Sequence, residues 1–184
     1  MFPNVLEVVR RFIKERVKVG ETVVDATMGN GNDTLFLATH VGDQGKVYAY
    51  DVQAEALEKT RQRLEREGLV DRVELLLASH EKMNEIQEEI AAIMFNLGYL
   101  PGGNKDITTL ANSTIRAIEA GLSKLRIGGI MTIIIYWGHE AGVTEKNAVE
   151  KYCENLSQSE YLVLCYQYMN QQNQAPFIIA IEKR

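Results

Sequence analysis

The sequence is short of cysteine and of long apolar runs, and each shortage excludes a class of protein. Its two cysteines, Cys153 and Cys165, lack the spacing of a metal site, so we expect buried free thiols. No apolar run approaches the roughly 20 residues of a membrane-spanning helix, and the N-terminal segment lacks the apolar core of a signal peptide. We therefore expect a cytoplasmic protein with no membrane contact and no bound metal.

Excess positive charge, the usual mark of broad nucleic-acid binding, is also missing. The chain has 20 Lys and Arg residues against 25 Asp and Glu residues, a net charge of −5. Any contact with a nucleic acid should therefore be small and local. The cationic residues that do cluster lie on the first predicted helix and its exit, where we expect a solvated face: Arg10, Arg11, Lys14, Arg16 and Lys18.

What the sequence does contain is a regular alternation of strand and helix patterns. With 184 residues, 46% of them hydrophobic, and no repeat or linker, it predicts one domain over residues 1–184. Apolar runs such as ETVVDA, GKVYAYD and IAAIMFNLG alternate with amphipathic helices, which indicates an α/β fold with a seven-stranded, mostly parallel sheet. The last two strands leave no room between them for a crossover helix, so they should form an antiparallel hairpin.

Several element boundaries are predicted from single residues that commonly begin or end helices. We expect Gly20 to end the first helix, Asn32 or Asp33 to cap the second, and Ser79 to cap a helix over SHEKMNEIQEE. Gly128 and Gly129 should end the helix that follows DITTL, and Thr144 should cap the last helix.

The turn DATMGNGNDT, residues 25–34, follows the first predicted strand, where such sheets bind nucleotides. Gly29 and Gly31 would allow the backbone to approach a ligand closely. Thr34 stands where a dinucleotide fingerprint has its third glycine, and no P-loop lysine follows. Asp51 ends the second strand about twenty residues further on, where an acid typically holds ribose hydroxyls. This combination favours S-adenosylmethionine over a dinucleotide or a nucleoside triphosphate.

Polar residues at the same edge of the predicted sheet complete the candidate cofactor site. Asp25 ends the first strand, where an acid would reach the methionine amino group, and Asp33 is compatible with either a ligand contact or a helix cap. Ser79 and His80 follow the third strand, near the expected adenine, although His80 is also compatible with an ordinary surface position. The full candidate set is Asp25, Thr27, Gly29, Asn30, Gly31, Asn32, Asp33, Asp51, Gln53, Ser79, His80 and Asn96.

A second constellation, FNLGYLPGG, ends the fourth predicted strand. Asn96-Leu97-Gly98-Tyr99 is similar to the N-P-P-Y motif of amino-group methyltransferases, in which an Asn side chain and a backbone carbonyl accept hydrogen bonds from an NH₂ group. Methyl transfer to nitrogen depends mainly on this orientation and on a neutral amine. Asn96 and Tyr99 are therefore candidate catalytic residues, the alternative being a loop that only turns the chain into the next helix.

The fifth strand ends in YWGHEAG at the same edge. His139 could contact the acceptor or act as a base, and Tyr136 and Trp137 could stack on a nucleobase. The alternative is that Trp137 belongs to the core and His139 to a loop. Methylation at C5 of a pyrimidine needs a cysteine nucleophile near these strands, and the sequence has none there.

Taken together, DATMGNGNDTLFLA, YAYDVQ, NLGYLPGG, YWGHEAG and NQAPFIIAIEKR resemble the YtqB-like family of bacterial rRNA methylases over nearly the whole chain. This family is similar to the tRNA methyltransferases (MnmM) that methylate the 5-aminomethyl group of wobble 2-thiouridine. The resemblance implies the class I S-adenosylmethionine-dependent methyltransferase fold, S-adenosylmethionine as cofactor, and an alkylamine of the tRNA anticodon loop as acceptor. In this interpretation Asn96 positions the amine and His139 assists.

Other functions are compatible with the same residues. The substrate could be rRNA or a small-molecule amine, and the chain could be a non-catalytic S-adenosylmethionine-binding module or partner subunit. A homodimer is compatible with the sequence as well.

Overall fold

A mixed sheet lies at the centre of the computed structural model, which describes residues 2–98, 102, 108–138 and 140–184. Its strands are β1 (Thr22–Asp25), β2 (Lys46–Asp51), β3 (Val73–Leu77), β4 (Ile90–Leu97), β5 (Leu125–Ile135), β6 (Tyr161–Tyr166) and β7 (Phe177–Lys183). Their order across the sheet is β3-β2-β1-β4-β5-β7-β6. Neighbours among β1 to β5 run parallel, and β7 runs antiparallel to β5 and β6. The predicted seven-stranded sheet with its antiparallel C-terminal hairpin is confirmed.

Helices cover both faces of this sheet: α1 (Val5–Arg16), α2 (Asn32–Val41), α3 (Ala54–Arg66), α4 (Ala111–Lys124) and α5 (Glu140–Glu154). α1, α2 and α3 pack on one face and α4 and α5 on the other, giving two apolar layers. β4 supplies both layers, because successive strand side chains point to opposite faces: Met94 belongs to one layer and Phe95 to the other. A strand buried on both faces explains the unbroken apolar run in the sequence.

The pair Gly128 and Gly129 does not end a helix, contrary to the sequence prediction. α4 ends at Lys124, and β5 begins directly after it. The pairing of β5 with β4 shifts register between Ile90 and Ala92, so the glycines lie in a bulge within the strand. Gly128 has φ +70°, and a Cβ on Gly129 would lie 3.0 Å from the Ala91 carbonyl oxygen, so both positions favour glycine.

Other predicted boundaries also need correction. α1 ends at Arg16 rather than Gly20, and α5 begins at Glu140, which places Thr144 inside the helix instead of at its cap. Residues His80–Glu85 form a 3-10 helix in place of the predicted longer helix, although Ser79 does cap it by accepting from the Glu81 amide. Cys153 is a buried free thiol as predicted, but Cys165 on the edge strand is exposed.

The order of the strands determines where a ligand can bind. From β1 the chain continues outward to β2 and β3, then returns to place β4 on the other side of β1. The crossover helices therefore leave in opposite directions at β1 and β4, and a crevice opens beyond the carboxyl ends of these strands. The predicted ligand residues follow β1, β2, β3 and β4 at this edge. Of the helices in the described part of the chain, none has the length and hydropathy of a membrane span.

Candidate active site

A cavity of about 710 Å³ opens at the carboxyl ends of the strands. That volume lies in the usual range for sites that enclose a small molecule or cofactor. Ten of the twelve residues proposed as cofactor ligands line it: Thr27, Gly29, Asn30, Asn32, Asp33, Asp51, Gln53, Ser79, His80 and Asn96. The structure thus brings together side chains that span some seventy positions of sequence, as the sheet edge predicts.

At one end of the cavity, which we call the cofactor end, Asp51 joins the glycine turn to the end of β2. Its Oδ2 accepts a hydrogen bond from the Gly29 amide (3.0 Å) and its Oδ1 accepts one from the Gln53 amide (2.9 Å). Each carboxylate oxygen can accept a further bond, so Asp51 remains able to bind hydroxyl groups in the cavity. Its position is fixed by backbone donors before any ligand arrives.

The glycine turn is held from its other side by α3. Thr60 Oγ1 donates to the Gly29 carbonyl (3.1 Å), and Arg63 Nε donates to the Asn30 carbonyl (2.9 Å). Gly31 has φ +77°, and a Cβ there would lie 2.8 Å from Thr60 Oγ1. Gly31 therefore permits the close packing of the turn on α3, and it does not line the cavity as the sequence interpretation expected.

Asp25 also lies outside the cavity wall. It is fully buried beneath the turn, where Thr34 Oγ1 donates to its Oδ2 (2.6 Å) and the Thr27 amide donates to its Oδ1 (3.2 Å). Burial, reinforced by the nearby charge of Asp33, raises the pKa of Asp25 to about 7. Asp25 and Thr34 together stabilise the turn. The reach of Asp25 toward a ligand amino group, directly or through water, stays a prediction.

His80 is a buried part of the site and not a surface residue, since only 8% of it is exposed. Its Nδ1 lies 3.0 Å from the Ala26 carbonyl oxygen, which can only accept, so Nδ1 carries the hydrogen. Its ring packs edge-on against Phe95. Burial lowers the pKa of His80, which favours a neutral imidazole with Nε2 as an acceptor.

At the opposite end of the cavity, which we call the acceptor end, Asn96 is held by two elements. Its backbone amide donates to Thr27 Oγ1 (2.7 Å), and its Nδ2 donates to Asp33 Oδ2 (2.8 Å). Because a carboxylate oxygen accepts this bond, the amide nitrogen must face Asp33, which leaves Oδ1 as the acceptor that Asn96 can offer to a ligand. The predicted cap role of Asp33 is wrong, since Gly31 is the N-cap of α2 and no side chain caps it.

Arg10 is a site residue that the sequence did not reveal. Its guanidinium donates to Asp33 Oδ1 (3.3 Å), lies over the Phe36 ring at 5.2 Å, and lines the cavity together with Leu6. The charge pattern of the sequence predicted a solvated helix face for Arg10. The one available signal was the spacing of Leu6 and Arg10, which puts both on the same face of α1.

The segment after β5 contributes one aromatic side chain to the cavity. Tyr136 lines it, and burial raises the pKa of this phenol, so Tyr136 stays neutral near pH 7. Trp137 instead packs against the apolar layer and donates from Nε1 to the Ala175 carbonyl (3.0 Å), as the core alternative proposed. Two predicted catalytic residues, Tyr99 and His139, lie outside the described residues.

A buried carboxylate on α5 joins the chain at Gly98 to the chain at Thr109, and the segment between these two residues is called the acceptor loop. The Gly98 amide donates to Thr109 Oγ1 (2.9 Å), whose hydroxyl in turn donates to Glu145 Oε2 (2.6 Å). Thr114 Oγ1 donates to Glu145 Oε1 (2.6 Å), and Glu145 is 1% exposed. We call Gly98, Thr109, Thr114 and Glu145 the acceptor clamp. No sequence motif identified it.

The chain is similar to known proteins in both sequence and fold. The profile of the family "Putative rRNA methylase" matches residues 47–182. The chain is 38% identical over 179 residues to the chloroplastic tRNA (mnm5s2U34)-methyltransferase of Arabidopsis thaliana. That alignment covers 91% of this chain and 65% of the relative, so the chain spans just under two thirds of the length of that protein.

Two crystal structures share the fold over their full lengths. One, from Clostridium thermocellum, is described as a putative rRNA-methylase and has 40% identity and a TM-score of 0.99, with 100% of both chains covered. The other is a methyltransferase homologue from Streptococcus mutans in complex with SAH, with 40% identity, 100% coverage of both chains and a TM-score of 0.92. The predicted class I methyltransferase fold is therefore confirmed.

Proposed function

Because the chain belongs to the "Putative rRNA methylase" family, we propose that it is an S-adenosylmethionine-dependent methyltransferase that acts on an amino group of RNA. The proposed acceptor is the 5-aminomethyl group of wobble 2-thiouridine in tRNA, which would become 5-methylaminomethyl-2-thiouridine. The single observation that carries an amine acceptor is the Asn96 amide, whose Oδ1 is left as an acceptor by the bond of Nδ2 to Asp33. The relative from Arabidopsis thaliana supports tRNA as the RNA.

The cofactor end has the features that S-adenosylmethionine requires. Asp51 presents acceptor oxygens for the ribose hydroxyls, His80 and Ser79 line the part of the cavity that follows β3, and Gly29 allows close approach of a ligand. The cofactor supplies a methyl group on a sulfonium. The residues at this end would bind and orient it.

The acceptor end orients the nitrogen for an in-line displacement. Asn96 Oδ1 accepts a hydrogen bond from the amine, which turns the nitrogen lone pair toward the methyl group. The N–C bond would form as the S–C bond breaks, S-adenosylhomocysteine would leave as the thioether, and the alkylated nitrogen would release one proton to water. The amine must be neutral to react, and the sequence-based prediction assigns assistance in this step to His139, with Tyr99 as a further candidate catalytic residue of the motif. Arg10 holds Asp33 in place and so fixes the amide of Asn96.

The direct test uses purified protein, S-adenosylmethionine with a labelled methyl group, and tRNA from a strain that lacks the gene. We expect label in a wobble nucleoside that mass spectrometry identifies as 5-methylaminomethyl-2-thiouridine, and accumulation of the unmethylated aminomethyl nucleoside in the strain. If rRNA is labelled and tRNA is not, the substrate is rRNA, as the alternative interpretation holds. Absence of transfer to either RNA or to small amines, with intact cofactor binding, would indicate a non-catalytic module.

The edge strand β6 supports a homodimer as part of this proposal. Leu162, Val163 and Leu164 are each between 41% and 51% exposed, and β6 pairs with β7 along one edge. Exposed apolar edge strands commonly pair with another chain. Light scattering should show a dimer that Leu164→Lys converts to a monomer; a monomeric wild-type protein contradicts it. The proposed location is the cytoplasm, where an unmodified tRNA substrate is available.

A further inference from the structure

A second, polar cleft adjoins the active-site cavity on its outer side. It has a volume of about 280 Å³ and is lined by Asn30, Asn32, Lys59, Gln62, Arg63 and Arg66, a set that we call the α3 cleft. Asn30 and Asn32 also line the active-site cavity, so the two spaces share one wall. A ligand that extends out of the cavity past this wall would enter the cleft.

The cleft is cationic although the protein is acidic overall. Residues 59, 62, 63 and 66 lie at helical spacing and form one stripe of α3. Two of these four side chains contact acids one turn away on the same helix: Lys59 pairs with Glu55 (2.7 Å), and Gln62 donates to Glu58 (2.7 Å). None of the six residues around the cleft, all within the described part of the chain, is an acid.

Two arginines remain to bind an anion. Arg63 uses its Nε on the Asn30 carbonyl, which orients the guanidinium and leaves both terminal NH₂ groups for other partners. Arg66 is exposed and makes no hydrogen bond or ion pair with any residue that the structure describes. Paired guanidinium groups suit the planar, bidentate recognition of a phosphate.

The N-terminus of α2 is a second feature that favours an anion in the α3 cleft. Asn32 is its first residue, and the N-cap Gly31 provides no side-chain acceptor for the first amides of the helix. The first amides and the helix dipole favour an anion at this end, and the carboxylate of Asp33 in the first turn is bonded to Arg10 and Asn96. Arginines on α3 and the α2 N-terminus therefore face one space from two directions.

We propose that the α3 cleft binds a backbone phosphate of the RNA close to the nucleotide whose base enters the active site. The proposal rests on the proposed function, since it assumes an RNA acceptor. It explains how an acidic protein retains RNA: a few phosphate contacts beside the cavity suffice, and broad positive charge is unnecessary.

Arg66→Gln tests the proposal, with Arg61→Gln as the matched control because Arg61 lies on the same helix, is exposed, and does not line the cleft. We expect Arg66→Gln to weaken binding of an anticodon stem-loop roughly tenfold. The slope of log K against the logarithm of the salt concentration should become less steep by about 0.7 to 0.9. The KM for tRNA should rise while kcat is kept. Arg66→Lys should restore much of the salt dependence.

Each other outcome overturns the assignment in an identifiable way. Unchanged RNA affinity in Arg66→Gln, or an equal loss in Arg61→Gln, would show that the cleft has no specific contact with the RNA. A loss of S-adenosylmethionine affinity, measured by calorimetry, would assign the cleft to the carboxylate of the cofactor. If wild-type protein transfers no methyl group to tRNA, the proposed function itself fails, whereas an active wild type with an unaffected Arg66→Gln refutes only the cleft.

Discussion

The two ends of the active-site cavity are built in different ways. At the cofactor end, backbone amides of the glycine turn and of the segment after β2 hold the Asp51 carboxylate. At the acceptor end, Arg10 and Asn96 reach Asp33 from α1 and β4, and each contact is made by a side chain. The cofactor end is therefore held by backbone amides at the edge of the sheet, whereas the acceptor end depends on side chains of α1 and β4 that meet at Asp33.

This difference suggests which end can vary among related enzymes. A site held by backbone donors tolerates substitutions around it, because each residue supplies the same amide. A site held by a chain of side chains depends on each member, since removing one leaves a buried polar group without its partner. We therefore expect substitutions at the acceptor end to change turnover and substitutions at the cofactor end to change cofactor affinity.

The largest effect should come from Asn96→Ala. Loss of Oδ1 removes the acceptor that orients the amine, so we expect turnover to fall by at least roughly a hundredfold while the affinity for S-adenosylmethionine stays within about twofold. Labelled methyl transfer and calorimetry measure the two quantities. Asn147→Ala, an exposed position on α5, is the control. An Asn96→Ala variant that retains full turnover would remove Asn96 from the mechanism.

Asp51→Ala should have the next largest effect, at the cofactor end. The variant loses the ribose acceptors and also the anchor for the Gly29 and Gln53 amides, so we expect cofactor affinity to fall about tenfold to a hundredfold. At saturating cofactor, turnover should approach the wild-type rate. Calorimetry with the exposed Asp43→Ala as control checks this, and an unchanged affinity rules out the ribose assignment.

A smaller effect is expected from Glu145→Gln in the acceptor clamp. A neutral amide accepts more weakly from the hydroxyls of Thr109 and Thr114, so the chain at Gly98 and Thr109 should be held less firmly. We expect kcat to fall about tenfold with cofactor affinity unchanged, and hydrogen exchange at the Gly98 and Thr109 amides to accelerate.

The exposed Glu140→Gln is the control for the clamp variant, since Glu140 begins the same helix. Thr109→Ser retains the hydroxyl and should keep near-normal turnover. Slower turnover in Glu145→Gln without faster exchange at Gly98 would mean that the clamp does not act on the acceptor loop.

The smallest effect concerns stability and pH. Because burial raises the pKa of Asp25 to about 7, the folded protein keeps this proton over a range in which the unfolded chain has lost it. Stability from this group is therefore highest below the ordinary pKa of an aspartate and falls as the pH rises to about 7. Asp25→Asn does not titrate, so its Tm relative to wild type should increase by a few degrees from about pH 4 to about pH 7.

Thermal melts of both proteins across this pH range measure the difference between their Tm values. Taking this difference cancels the contribution of other titrating groups, such as His80, that both proteins share. A difference in Tm that stays constant with pH would show that Asp25 ionises normally in the folded protein. The glycine turn should still bind S-adenosylmethionine in Asp25→Asn, because Asp25 does not line the cavity.

Much of the fold follows from pattern alone, and the errors have physical causes. The apolar runs predicted all seven strands, and the short connection before β7 predicted its antiparallel pairing. Gly128 and Gly129 were misassigned because glycine serves equally well in a helix stop and in a strand bulge, and only pairing with β4 distinguishes them. Thr144 resembled a helix cap, yet α5 begins four residues earlier.

The candidate site divides along the same line. The sequence by itself determined the positions of the glycine turn, Asp51 and Asn96, because each lies at or just beyond the carboxyl end of a strand, and the carboxyl ends of parallel strands meet at one edge. Only the tertiary structure decided that Arg10 faces the cavity, that Asp25 lies buried beneath it, and that Glu145 joins the two sides of the acceptor loop. These positions depend on how the helices and the glycine turn pack against the sheet, and the spacing of Leu6 and Arg10 was the one local signal for any of them.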